Sequence, residues 1–407
     1  MKLETLDIAI AGAGMGGLSL GAMLAARGAK VTVYDQMTAP QPVGSGFVLQ
    51  PTGQAVLSAM GLLDEAGARG AKIFRMHGRL AGQNGEAGRT VLEIGYGKDR
   101  QGQDGHGIAI QRVALFDILL KAATDAGVRF ETSSRAVEVM PGERPVICLE
   151  GGRKAPAADL VIDAMGAGSP IGHDPAKELG YGALWATVPW PVEAPAEDTF
   201  HPNELEQRYE RATRMAGVLP VGTAGEGAAP MATFFWSLRN RDIDRWRAEG
   251  RQAWIEAVAK LWPEAARFAE IAEPVHARYR HHTRKPVAGR NVLRIGDAWH
   301  ATSPQLGQGA NMALLDAASL VTALMRSKTR EEAIRLHLSQ RQMHIRLYQL
   351  LSLVLTPYYQ SDSRILPLLR DLMIAPVTRM PVIRGLVSRL VTGDVLDPIG
   401  RIGILRS

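Results

Sequence analysis

Three glycines and two aspartates carry most of the chemistry legible in this chain. Gly12, Gly14 and Gly17 form a G-x-G-x-x-G, and Asp35 follows about 20 residues on. Gly12 permits a tight turn, Gly14 leaves room for a pyrophosphate against the backbone, and Gly17 lets a helix pack closely on a strand. The free N–H groups of a helix start suit phosphates. A carboxylate at Asp35 can accept hydrogen bonds from both ribose hydroxyls, and an acid there argues against a 2'-phosphate. The ligand class is a dinucleotide. This unit does not separate FAD from NAD.

A second cluster lies near the far end, in the run IGDAWHATSPQLGQGANMALLD at 295–316. A strand delivers Gly296 and Asp297 to its C-terminal edge, where ligands sit in doubly wound sheets. Pro304 stiffens the loop, and Gly307 and Gly309 bare backbone N–H groups. A helix from Ala310 points its positive end at the same place. Such a site stabilises a delocalised anion, and a reduced flavin carries one near N1 and O2. Each residue has a plainer reading too. Asp297 could be a simple cap, Arg112 a surface ion pair, and His300 a hydrogen-bonding loop residue rather than a base.

The elements that must position these residues follow from local pattern. Ile8–Ala11 is a short apolar run, the mark of a buried strand. A helical pattern from Leu18 to Leu24 ends at Gly28, and Val31–Tyr34 is the next strand. The loop 36–50 holds Pro40, Pro42, Gly44 and Gly46 and should lie over the dinucleotide. A short helix over 52–60 precedes a hairpin over 70–97. Arg112 opens a helix that Gly127 closes. Four strands follow at 128–131, 135–140, 146–149 and 159–164. Four more at 182–188, 206–211, 215–221 and 231–238 predict a mostly antiparallel sheet, followed by helices over 242–248 and 252–261. Residues 274–282 lead back to a strand at 292–295. Thr329 to Glu332 is a capping box opening a long helix. Short apolar helices broken by prolines fill 367–391.

These motifs, in this order, resemble the group A flavoprotein monooxygenases, the family of para-hydroxybenzoate hydroxylase. The matching elements are the glycine fingerprint with Asp35, Arg112-x-x-Leu115, Gly296-Asp297, and Pro304-x-x-Gly307-Gln308-Gly309-x-Asn311 followed by Asp316. The resemblance implies an α/β fold: a Rossmann-like FAD-binding domain, an inserted mostly antiparallel β-sheet substrate domain and a helical C-terminus. The implied division is 1–70, 98–180 and 275–327 for FAD, 71–97 and 181–274 for substrate, and 328–407 for the helical region. It implies FAD held by Gly12, Gly14, Met15, Gly16, Gly17, Asp35 and Gln36, with Arg112 near the pyrophosphate and Gly296 and Asp297 at the ribityl chain. Pro304, Gly307, Gln308, Gly309, Ala310 and Asn311 would line the isoalloxazine on one side, Gly46 and Val48 on the other. The implied reaction inserts one oxygen of O2 into an aromatic or other electron-rich small molecule through a flavin C4a-hydroperoxide. NADH or NADPH would be the transient reductant. No catalytic residue and no metal site are assigned.

One family feature is altered. The family has an Asp-Gly pair after a strand, then a serine and an arginine, which helps nicotinamide docking. Met165 stands at the aspartate's place and Gly172 at the arginine's. A thioether cannot accept a charge-assisted hydrogen bond, so slow reduction by NAD(P)H or another reductant is expected. Asp163 could compensate only through a rearranged turn. Tyr209 and Arg239 are candidate anchors for a phenol or carboxylate, and the aromatics of 181–236 are core or pocket.

The 407 residues carry 46% hydrophobic and 22% charged side chains and a net charge of +6, within the range of a globular protein. The basic residues form no block, so nucleic acid is not expected. A lone Cys148 excludes a disulfide framework. No signal-like segment precedes the first strand and no run of 18 apolar residues exists, which reads as cytoplasmic, and a monomer or homodimer is expected. Two alternatives stay open: non-hydroxylating chemistry such as epoxidation or desaturation on the same fold, and a membrane-surface flavoprotein with its C-terminal helices in the interface.

Overall fold

The architecture is taken from a computed structural model, which describes the chain except for 40–44, 99–101, 103, 173–176, 191–199, 226, 379 and 405–407. The expected loop positions Pro40, Pro42 and Gly44 lie outside the described residues.

Strand β1 (Asp7–Ala11) runs into helix α1 (Met15–Ala25), and β2 (Lys30–Tyr34) returns beside β1. Helix α2 (Arg112–Asp125) covers the sheet, with β3 (Leu160–Asp163) and β4 (Val292–Arg294) completing its centre. The six-stranded order is 287–289, β4, β3, β1, β2, 129–131, and every pair is parallel except the outermost 287–289 with β4. β3 and β4 are buried at every residue, which suits a parallel sheet covered on both faces. α1 is apolar all round and buried over Met15–Leu24. It therefore packs on both sides, against the sheet and against α3 (Gly309–Arg326).

A second sheet of seven strands roofs this unit. Its order is 275–281, 177–189, 231–239, 214–220, 204–210, 75–81, 87–95, antiparallel except where 204–210 meets 75–81. Its back face carries Leu184, Val218, Phe234 and Trp236, buried against Trp254, Val258 and Leu261 of a helix over 243–261. The two helices expected over 242–261 run together, kinked at Gly250 where φ is 82°.

One stretch departs from expectation. Residues 274–282 do not simply lead back; Val275–His281 forms the edge strand beside 177–189. Arg278 pairs with Gly182 and Ala277 with Ala183, so the segment alternates faces as a strand must.

The long helix α4 (Arg330–Tyr359) opens with the expected capping box: the Thr329 hydroxyl accepts from Glu332 N, and the Glu332 carboxylate accepts from Thr329 N. Short helices over 366–378, 381–392 and 398–402 close the chain.

Candidate functional site

The glycine fingerprint folds as its chemistry requires. Gly12 holds φ at +105°, and a Cβ there would stand 2.6 Å from the Ala164 carbonyl oxygen. A Cβ on Gly17 would overlap the Gly12 carbonyl, so only glycine lets α1 come this close to β1. Gly14 is exposed at the N-cap and contributes no side-chain cap. The first N–H groups of α1, beginning with Met15, Gly16 and Gly17, therefore lack a side-chain partner. Asp35 directly follows β2 and accepts from Ala13 N at 2.7 Å and Met37 N at 2.9 Å. It ties the turn to the sheet and retains acceptor capacity. Gln36 is exposed beside it.

Asp297 follows Gly296, whose φ is +56°. Desolvation by the surrounding protein pushes its carboxyl above the ordinary range, with His300 and Arg112 acting the other way. Yet by surface area the residue is exposed. A side chain in the wall of a deep crevice has this combination. The carboxylate lies against Gly309, the first residue of α3, whose N-cap Gln308 supplies no side-chain cap.

Arg112 opens α2 and sets its guanidinium 5.5 Å over the Phe47 ring. Its Nε is buried without a hydrogen-bond partner. Burial lowers its pKa and the Asp297 charge opposes this. A half-buried cation with a buried, orphaned donor beside an open crevice fits an anionic ligand such as a pyrophosphate.

The loop between them is braced from outside. Pro304 starts a helical turn over 304–306, and Gly307 adopts φ +60°. Asn311 is wholly buried. Its side chain accepts from Gln50 N at 2.8 Å and donates to the Gly307 carbonyl at 3.0 Å, fixing the loop against strand 47–49. Gln308 donates to the Val391 carbonyl at 2.6 Å. Ala310 is half-buried in the first turn of α3. Gly46 donates to Thr233 Oγ1 at 3.0 Å, and Val48 is buried in the next strand. The fingerprint, Asp297 and the glycine loop thus share the strand ends, while Asn311 and Gln308 act as braces.

Behind the crevice lies a buried charge network. Asp316 accepts from Gly296 N at 2.8 Å, His300 Nε2 lies 2.6 Å from it, and Arg341 Nε donates at 2.7 Å. Burial opposes the Asp316 charge, but His300 and Arg341 outweigh it and hold the carboxyl well below its usual range. His300 is buried in this pairing, as the loop reading expected, and does not face an open site.

The altered motif has a clear structure. Asp163 is fully buried, accepts from Ser169 Oγ at 2.6 Å and from Met165 N at 3.2 Å, and lies 3.5 Å from Arg294 Nε. It turns inward and does not replace the missing aspartate. Gly172 sits at φ +84°, and a Cβ there would overlap the Arg294 guanidinium.

The roof sheet's near face supplies aromatics. Thr233, Phe235 and Ser237 alternate on one strand, and Thr233 touches Gly46. Trp185 pairs with Phe235, ring centroids 4.8 Å apart, and its indole N–H donates to Tyr279 Oη at 2.6 Å. Gln360 donates to Ser237 Oγ at 3.1 Å. Tyr279 was missed from sequence; the alternation of Val275, Ala277 and Tyr279 was the available signal. The two expected anchors are engaged elsewhere. Tyr209 is buried, donates to Gln207 Oε1 at 2.8 Å and packs on Tyr359. Arg239 binds Tyr181 Oη and Asp362.

The family profile described as an FAD binding domain matches residues 5–341. The chain belongs to this family, that of the group A aromatic hydroxylases. This flavoprotein is 28% identical over 359 residues to 3-amino-4-hydroxybenzoate 2-monooxygenase of Streptomyces cremeus, covering 83% of each chain. It is 26% identical to an FAD-dependent urate hydroxylase of Mycolicibacterium vanbaalenii, covering 77% and 78%. The structure of Klebsiella pneumoniae HpxO complexed with FAD and uric acid matches with a TM-score of 0.77 at 18% identity, over 96% and 98% of the two chains. That likeness shows the fold, para-hydroxybenzoate hydroxylase-like as expected. The protein is an FAD-dependent oxidoreductase.

Proposed function

We propose that this flavoprotein is a monooxygenase that places one oxygen atom of O2 on a small, electron-rich aromatic or heteroaromatic ring. The observation that carries the reading is the crevice itself. Arg112, with a buried and unpartnered Nε, and Asp297, deep yet open, face one another's charge beside uncapped helix starts. The names of the relatives, among them 6-hydroxynicotinate 3-monooxygenase and 3-hydroxybenzoate 6-hydroxylase, support the substrate class.

The residues present fit FAD. Gly12, Gly14 and Gly17 with the start of α1 would take the pyrophosphate, Asp35 the adenosine ribose, and Arg112 the phosphate charge. Asp297 would hold the ribityl hydroxyls, and Gly307 to Asn311 with Gly46 and Val48 would enclose the ring. When bound, FAD supplies the redox chemistry. The chain's own work is to exclude water, orient the substrate and fix charge.

Trp185 and Phe235 offer a flat apolar wall. Tyr279 accepts the indole N–H, so its own hydroxyl proton is free to donate to a substrate oxygen. Burial pushes its pKa up, so it acts as a neutral donor at physiological pH. The reductant is handled differently from the family pattern. Asp163 is committed inward, and Arg294 fills the space beside Gly172. Reduction by free NAD(P)H is therefore slow.

A single-turnover experiment tests the oxygen transfer without any nicotinamide. FAD-loaded protein is photoreduced anaerobically, then mixed with 18O2 and a panel of hydroxylated benzoates and N-heteroaromatic acids. One labelled oxygen in a product supports the reading. Electrons recovered only as hydrogen peroxide across the panel speak against it.

A further inference from the structure

Of the 17 large apolar side chains exposed among the described residues, 11 lie between Met343 and Leu386. Soluble surfaces usually scatter such residues singly. Here they gather on consecutive elements. Leu350 and Leu353 are 57% and 60% exposed on one stripe of α4. The helix over 366–369 packs on α4, and around it Ile365, Leu368 and Leu372 are 68%, 57% and 63% exposed. These side chains point away from the protein although their helices are docked.

The charge of this segment is one-sided. Positions 342–392 hold six arginines, two aspartates and no lysine or glutamate. Neither aspartate is a free surface charge: Asp371 is buried against Arg370, and Asp362 is held by Arg239, Arg241 and Tyr181. Arg346, Arg364, Arg384 and Arg389 are exposed.

A second copy of the chain would fit this face poorly. A two-fold contact brings the same patch against itself, so arginine would meet arginine as water is excluded. An anionic bilayer surface answers both features: apolar side chains enter the headgroup boundary while guanidinium groups meet phosphate. No helix among the described residues is long and apolar enough to cross a membrane, so the contact is interfacial. We propose that this C-terminal face docks on the surface of an anionic phospholipid bilayer.

Sedimentation of the full-length, FAD-loaded protein with vesicles tests this. At low salt the protein should pellet with phosphatidylcholine vesicles containing phosphatidylglycerol and stay soluble with phosphatidylcholine alone. The variant Leu350→Ser/Leu368→Ser/Leu372→Ser alters only exposed positions and keeps the net charge. It should keep its FAD and lose binding by at least about ten-fold, given the apolar transfer removed. A wild type that never pellets overturns the proposal. So does a variant that binds as well as wild type, since general positive charge then suffices. Light scattering that finds a wild-type dimer, broken by the same variant, assigns the face to a second copy instead and also overturns it.

Discussion

The Arg294 guanidinium occupies the space into which a side chain at Gly172 would have to grow. It donates to the Ile171 and Lys285 carbonyls at 2.8 and 2.7 Å and lies 3.5 Å from Asp163. The glycine therefore lies directly against a buried ion pair. Gly172→Arg should not restore fast reduction by nicotinamide. It should instead cost about 2–4 kcal/mol, from the positive φ and the displaced charge pair. Thermal unfolding and stopped-flow reduction of the variant check both parts. A stable variant with faster reduction would show that the glycine is a simple deletion of function.

Asp297 and Arg112 should act together on FAD. Asp297→Ala and Arg112→Ala are each expected to weaken FAD by at least ten-fold, since a charge-assisted hydrogen bond contributes about 1.5–3 kcal/mol. Flavin absorbance per protein after gel filtration gives the occupancy. Full occupancy in both variants would refute their assigned roles.

Two buried histidines should make the fold acid-sensitive. Burial lowers His337 to about 4 and His344 to about 3. The unfolded chain binds these protons near pH 6.5, the native state only below pH 4. The stabilisation is thus complete above pH 6.5 and is lost as pH falls from 6.5 toward 4. Each pKa unit corresponds to about 1.4 kcal/mol, so His337 alone contributes roughly 3–4 kcal/mol of this loss. Melting temperature across pH 4–8 should fall on the acid side, and His337→Phe should flatten the curve. A flat wild-type profile would contradict the assignment.

Tyr279 is expected to bind substrate rather than build the sheet. Tyr279→Phe should raise KM for a hydroxylated substrate about ten-fold, one hydrogen bond's worth, with only a modest fall in melting temperature from the Trp185 indole N–H losing its acceptor. Equal kinetics with a lowered melting temperature would make it a packing residue.

Much of this was legible in residue types alone. The fingerprint fixed β1, α1 and β2 because glycine, apolar run and acid each have one place in that unit. The capping box at Thr329 and Glu332 was local and formed as read. The edge strand Val275–His281 was not seen, because Arg278, Arg280 and His281 made its alternation look like a polar connection. Asp163 pointing inward depends on Ser169 and on Arg294, the latter more than 100 residues away, and no local pattern carries that. The exposure of Leu368 and Leu372 was likewise hidden, since an apolar helix reads the same whether it faces a core or water.

FAD held at Asp297 and nicotinamide docking weakened at Met165 and Gly172 together predict slow reduction of the bound flavin. The most direct measurement is anaerobic: purified yellow protein mixed with NADH or NADPH, following flavin bleaching with and without hydroxylated aromatic acids. The expected result is bleaching slower than about 1 s−1, below the usual range of turnover, with little stimulation by any acid. Bleaching at tens per second or more, accelerated by an aromatic acid, would contradict it.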